Sequence, residues 1–216
     1  MTVDVWEAHW KGLEKPSFFS RFARFYRNFF RSRAVRTAFI KHFPSSGVFV
    51  EAGSGSSQTS VLIPRAGKKL IAVDYAETPL KTAKNFVDEC IVADVRKLPF
   101  SDNSLEGVWN LGVMEHYTED GQIELLREFS RVLKPGCRVV LFWPPPWGTD
   151  KVVLDIFSFV CSLFGSKKVF FPDEPGRVTK SQARFVLEKA GLKVVDVYHP
   201  LWDCFMELVV VGEKNA

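Results

Sequence analysis

The sequence predicts a doubly wound α/β fold, with a mostly parallel sheet of about seven strands, one of them reversed. Three observations carry this expectation. From Val48 onward, short β-branched apolar runs alternate with helical periodicities, the pattern of parallel strands joined by crossover helices. The first run breaks abruptly into a glycine- and serine-rich bend, "VFVEAGSGSSQTS" (residues 48–60). The last two runs are separated by few residues, which favours an antiparallel pair.

Taken in order, "GVFVEAG", "KLIAVDY", "ECIVADV", "LEGVWNLG" and "CRVVLFWPP" read as five strands. The clearest helix between them is "DGQIELLREFSRVLKPG". There Ile123, Leu126, Phe129 and Leu133 recur at helical spacing and Pro135–Gly136 supplies the stop. "TKSQARFVLEKAG" opens on a capping box, Thr179 with Gln182, and stops at Gly191. "LKVVDVYHP" and "CFMELVVVGEK" then form the reversed pair.

A chain of 216 residues is most simply one domain with a substantial core. Its net charge of +4 is unevenly placed, because residues 1–43 hold nine Lys/Arg against three acids. We therefore expect a basic, aromatic helical cap over residues 1–43 and a second unit over residues 44–216. An insert at 144–180 lies outside the strand–helix alternation and is expected to join the cap as a lid. On a helical wheel Phe18, Phe19, Phe22, Phe25, Tyr26, Phe29 and Phe30 fall within roughly 140° of arc. Arg33 would land on that aromatic face, so the helix is expected to break near Ser32. The stripe over residues 17–31 fits core packing, a lid over a hydrophobic acceptor, or contact with an anionic membrane. Trp6 and Trp10 either close the lid or anchor the terminus.

Cys90, Cys137, Cys161 and Cys204 show no metal-ligand spacing and read as free thiols of a reducing compartment. The start of the chain does not resemble a secretory leader. The greasiest stretch, residues 152–164, contains Asp155 and is short of the ~20 residues that span a bilayer. These features predict a cytoplasmic protein, at most peripheral to a membrane, without a metal.

The bend Glu51-Ala52-Gly53-Ser54-Gly55 lets backbone lie against a ligand. A dinucleotide fingerprint would need a third glycine where Gln58 stands. The second strand ends in Asp74, placed to accept from ribose hydroxyls, and Asp94 follows the third. Either acid could instead be a helix cap. Three acids suit a nucleoside that lacks phosphates and carries a positive charge.

At these residues the chain resembles the class I S-adenosylmethionine-dependent methyltransferases, closest to their small-molecule and quinone-type (type 11) group. "VEAGSGSS" is similar to that family's first motif and "IAVDYAETPL" to the acidic motif after it. "VADVRKLPFSDNSLEGVWNLGVMEH" and "EFSRVLKPGCRVVL" resemble its later motifs. Ser57 and Cys137 depart from it, standing where glycine is usual. The resemblance implies S-adenosyl-L-methionine as cofactor and S-adenosyl-L-homocysteine as product. It also implies that Gly53 and Gly55 approach the methionine portion while Glu51 orients its amino end. Asp74 would hold the ribose, Tyr75 would pack on the adenine, and Asp94 with the Val95 amide would address the adenine edge. Asn110 and Leu111 would line the sulfonium.

Alignment of donor and acceptor supplies most of the rate in such a transfer, and a base is needed only where the acceptor must lose a proton. His116 is the first candidate and Glu115 the second; His116 could equally be a structural loop histidine. "NLGVME" replaces the Asx-Pro-Pro-aromatic motif of nucleic-acid amino-methyltransferases, and "PPPW" follows the fifth strand instead. A small-molecule or lipid-like acceptor is therefore expected, and nucleic acid is not. The alternatives are a non-catalytic nucleoside-binding protein and a peripheral membrane protein acting through its N-terminal amphipathic helix.

Overall fold

The computed structural model of the chain describes residues 3–13, 27–148, 176–203 and 206–216. Seven strands form one sheet: β1 (Gly47–Ala52), β2 (Lys68–Asp74), β3 (Glu89–Val92), β4 (Leu105–Leu111), β5 (Leu133–Trp143), β6 (Leu192–Tyr198) and β7 (Leu208–Lys214). Their spatial order is β3-β2-β1-β4-β5-β7-β6. The pairs from β3 through β5 are parallel, and β7 runs antiparallel to both β5 and β6. The reversed strand and the doubly wound order match the expectation.

Among the described residues the α-helices are α1 (Val3–Leu13), α2 (Ser32–His42), α3 (Glu77–Ala83), α4 (Glu119–Val132) and α5 (Lys180–Lys189). Alternate side chains of each strand feed opposite faces, which explains the nearly continuous apolar runs. On one face Val50, Ile71, Val73, Val108 and Leu141 pack with Leu125, Leu126 and Phe129 of α4 and with Val186 and Leu187 of α5. On the other, Phe49, Leu70, Trp109 and Val140 pack with Val35, Ala38 and Phe39 of α2. Phe39 is the hub of that second core, with ring centroids 4.7 Å from Phe43, 5.0 Å from Phe49 and 5.4 Å from Trp109.

Two expectations are corrected. The helix of "DGQIELLREFSRVLKPG" ends at Val132, not at Pro135–Gly136, and Leu133 already belongs to β5. Leu133 pairs with Leu105 of β4 before the register shifts between Leu105 and Gly107. A long-range partner thus takes Leu133 out of the helix that its spacing suggested. The second correction concerns Ser32, where the chain stays helical. A π-turn at Arg27–Arg31 runs directly into α2, and Arg31 keeps helical angles of φ −64° and ψ −38°. The wider turn shifts the register, and the Arg33 guanidinium stacks 3.8 Å over the Phe29 ring instead of being forced inward. Phe18 to Tyr26, and residues 149–175 of the insert, lie outside the described residues.

β1 has β2 on one side and β4 on the other, so the strand order reverses beside it. Ligands of open α/β sheets sit beyond the carboxyl ends of the strands at such a point. Among the described residues no helix is long and apolar enough to cross a membrane.

Candidate active site at the carboxyl ends of the strands

The bend after β1 is built by backbone that only small residues adopt easily. Gly53 (φ 69°) and Gly55 (φ 50°) are left-handed, and so is Ser57 (φ 49°), a strained setting for a residue with a Cβ. The Gly53 and Ser54 amides both donate to the Val73 carbonyl, at 2.8 and 3.1 Å, which ties the bend to β2. A Cβ on Gly53 would collide with the Val113 side chain, and one on Gly55 would sit 2.5 Å from the Trp10 ring.

Asp74 closes this unit. Its Oδ2 accepts from the Gly55 amide at 2.8 Å and its Oδ1 from the Ala76 amide at 2.9 Å. Burial pushes its carboxyl up, while the amide hydrogen bonds pull the other way. A carboxylate offers about four lone-pair sites, and with the Gly55, Ala76 and Tyr75 amides acting on it, capacity remains for a further donor. Glu51 is buried and accepts from the Ser60 hydroxyl at 2.8 Å. Burial drives its pKa up to about 7, against the Ser60 hydroxyl and the nearby Ser57 and Trp109 side chains. Ala52, which follows it, is fully buried at the end of β1.

Asp94 behaves differently. It lies two residues past β3 and is gripped by Arg96, whose Nε is 3.1 Å from both carboxylate oxygens and whose Nη2 is 2.6 Å from one. That guanidinium holds its carboxyl below the usual carboxylate range. Val95 behind it is buried and Tyr75 is partly exposed. Asn110 of β4 has no solvent exposure, and neither atom of its side-chain amide meets a hydrogen-bond partner among the described residues. Leu111 next to it is half-buried. Glu115 and His116 share the 3₁₀ turn Met114–His116; Glu115 is buried, and the His116 ring meets Trp6 edge-on at 4.9 Å.

The structure thus joins Glu51, Gly53–Gly55 and Asp74 into one unit and leaves Asp94 at its rim, paired with Arg96. Sequence reasoning missed three contributors. Tyr117 feels the charges of Asp94, Tyr75 and Asp74, and burial pushes its hydroxyl up to about 12; its signal was adjacency to His116. Ser60 is the partner of Glu51. Glu7 of α1 accepts from the Glu77 and Thr78 amides and from the Thr78 hydroxyl at the start of α3. No local signal foretells a pairing across about seventy positions. Glu7, Trp6 and Trp10 together lay α1 across the strand ends, over the glycine bend.

The return of the insert packs beside the same turn. A Cβ on Gly176 would meet the Glu115 backbone, the Trp143 indole donates to the Gly176 carbonyl at 2.6 Å, and Arg177 donates to the Pro145 carbonyl at 3.0 Å. A groove of about 390 Å³ opens there, lined by Pro145, Trp147, Val178, Lys180, His199 and Leu208 among others.

Comparison with known proteins agrees with this geometry. Residues 50–141 match the model of a methyltransferase domain. The tRNA (carboxymethyluridine(34)-5-O)-methyltransferase of Arabidopsis thaliana is 29% identical over 48% of this chain and 26% of its own length. The demethylmenaquinone methyltransferase of Bacillus licheniformis is 24% identical over 83% of this chain and 89% of its own length. The magnesium protoporphyrin IX methyltransferase of Synechocystis, solved with bound S-adenosylhomocysteine, superposes with a TM-score of 0.66 at 14% identity, covering 95% of this chain and 93% of that one. The matched stretch spans only 16 to 31% of the length of the first curated relatives.

Residues 50–141 thus match a methyltransferase domain, and the fold is similar to that of solved S-adenosylmethionine-dependent methyltransferases. The cofactor that this match implies is S-adenosyl-L-methionine. The residues present fit that group: a left-handed glycine bend, an adjacent carboxylate with acceptor capacity to spare, and the orphaned amide of Asn110.

Proposed function

We propose that the protein transfers a methyl group from S-adenosylmethionine to a small-molecule or lipid-like acceptor. The observation that carries this is the Asp74 carboxylate clamping the glycine bend at the strand-order reversal, inside the matched methyltransferase segment. When bound, the cofactor supplies a methyl group already activated by the sulfonium. In this reading Gly53 and Gly55 admit its methionine portion and Glu51 braces the loop from below. Asp74 accepts from the ribose, Tyr75 and Val95 border the adenine, and Leu111 lies beside the amide of Asn110. Asp94 reaches the adenine edge only by giving up part of its pairing with Arg96.

His116 takes the acceptor proton in this reading, with Glu115 as the second candidate. The cap expected of residues 1–43 is carried in this reading by α1, since α2 packs in the core of the sheet, and the 144–180 insert is part of the acceptor lid over the unit 44–216. The groove beside Trp147 and the similarity to a demethylmenaquinone methyltransferase support a partly apolar acceptor. A second reading, transfer to an RNA nucleoside, is favoured by the similarity to tRNA methyltransferases. Methyl-transfer assays on lipid extract and on bulk tRNA separate the two.

Calorimetry tests the cofactor site directly. Asp74→Ala is expected to weaken S-adenosylmethionine and S-adenosylhomocysteine binding about tenfold or more, the loss of roughly 1.4 kcal/mol. Unchanged affinity in a folded variant would overturn the assignment. His116→Ala is expected to leave cofactor affinity intact and lower kcat by about 10²-fold or more. Unchanged turnover would return His116 to a structural role.

A further inference from the structure

We propose that the face made by α2 and the 3₁₀ turns Gln58–Leu62 and Leu201–Asp203 docks the protein onto an anionic membrane. While α2 buries Ala34, Val35, Ala38 and Phe39, it turns Arg33, Arg36 and Ile40 outward. A groove of about 270 Å³ runs between this face and the two turns, lined by Arg33, Arg36, Thr37, Leu62 and Trp202. The apolar groups beside it are unusually open: Leu201 is 80% exposed, Trp202 52% and Ile40 52%. Grouped exposed side chains of this size mark an interaction surface.

The charge on this face is one-sided. Among the ion pairs of the described residues none includes Arg33 or Arg36. Nearby acids are engaged elsewhere: Glu207 pairs with Arg31, Asp196 with Lys41, and Asp203 accepts from the Glu207 amide. The sequence adds to this, since residues 15–36 hold seven Lys/Arg and no acid. Guanidinium groups lining one groove with a tryptophan, beside open aliphatics, suit the headgroup boundary, where arginine reaches phosphate and the ring sits at headgroup depth. RNA would leave Leu201 and Ile40 in water.

The placement in the fold has a consequence for access. The two turns follow the carboxyl ends of β1 and of β6, and α2 begins at that same edge of the sheet. Docking by this face therefore presents the strand ends to the lipid. The docking inference stands apart from the methyl-transfer reading and is tested without it.

Flotation of the full chain with phosphatidylcholine vesicles, with and without phosphatidylglycerol, decides the matter. Binding is expected only with the anionic lipid. It should weaken roughly tenfold or more in Arg33→Glu/Arg36→Glu and fall clearly in Leu201→Ser/Trp202→Ser. The control Lys81→Glu/Lys193→Glu, with the same charge change away from this face, should float like the parent. Equal flotation of all variants, or none by the parent, overturns the proposal. So does binding of inorganic phosphate alone that Arg36→Glu abolishes, which would make the groove a free-anion site. Retention of tRNA lost in Arg33→Glu/Arg36→Glu without vesicle binding overturns it too. A lipid-free dimer abolished by Leu201→Ser/Trp202→Ser would assign the face to self-association.

Discussion

Glu51 and His42 are both buried and titrate in opposite senses. Burial raises the Glu51 pKa to about 7, and burial, with Lys41 adding to it, lowers that of His42 to about 4. Folded Glu51 keeps a proton that the unfolded chain loses above 4.5, so its contribution is complete below 4.5 and is lost as pH rises through 7. Folded His42 refuses a proton that the unfolded chain takes up below 6.5, so its contribution is complete above 6.5 and is lost as pH falls through 4. Between these limits the two slopes oppose each other. Glu51→Gln should expose the histidine slope, with stability rising by about 1.4 kcal/mol per pH unit between roughly pH 4.5 and 6.5. The same variant should gain on the parent as pH rises from about 5 to 8. Urea melts across that range check both, and a parallel pH profile for variant and parent would sink the assignment. Asp74 and Glu51 were legible because each closes a strand beside a glycine or turn. The Arg96 grip on Asp94 was not, since sequence shows an acid and an arginine two apart but not their pairing.

At the scale of elements, local chemistry was readable and distant chemistry was not. The capping box on α5 forms as the sequence implies: the Thr179 hydroxyl accepts from the Gln182 amide and the Gln182 side chain accepts from the Thr179 amide. Removing it with Thr179→Ala should lower stability by about 1 kcal/mol, read from the urea midpoint at unchanged slope. No change would mean that tertiary packing alone holds the first turn. The end of α4 went unread because Leu105 of β4, not the local spacing, decides where Leu133 belongs. The π-turn before α2 was invisible for a similar reason. Its register follows from the Phe29–Arg33 stack and from the Arg31–Glu207 ion pair at 2.6 Å, which joins residues far apart in sequence.

The whole molecule separates a self-sufficient fold from a cover laid on it. Among the described residues both hydrophobic cores are drawn from positions between Ala34 and Val211. What α1 does touch is the candidate site: Trp10 lies on Gly55, Trp6 on His116, and Glu7 on the first turn of α3. A helix held by polar and edge contacts of this kind opens at low free energy compared with global unfolding. Deleting residues 1–13 should therefore leave a cooperative thermal transition, with Tm within a few degrees of the parent. Cofactor association should become faster, because Trp10 no longer lies against Gly55, and the acceptor KM should rise as the cover is lost. Stopped-flow binding and a KM-against-kcat comparison read these effects separately. Loss of cooperative unfolding in the deletion variant would make α1 part of the fold, and unchanged binding and KM would leave it a bystander at the strand ends.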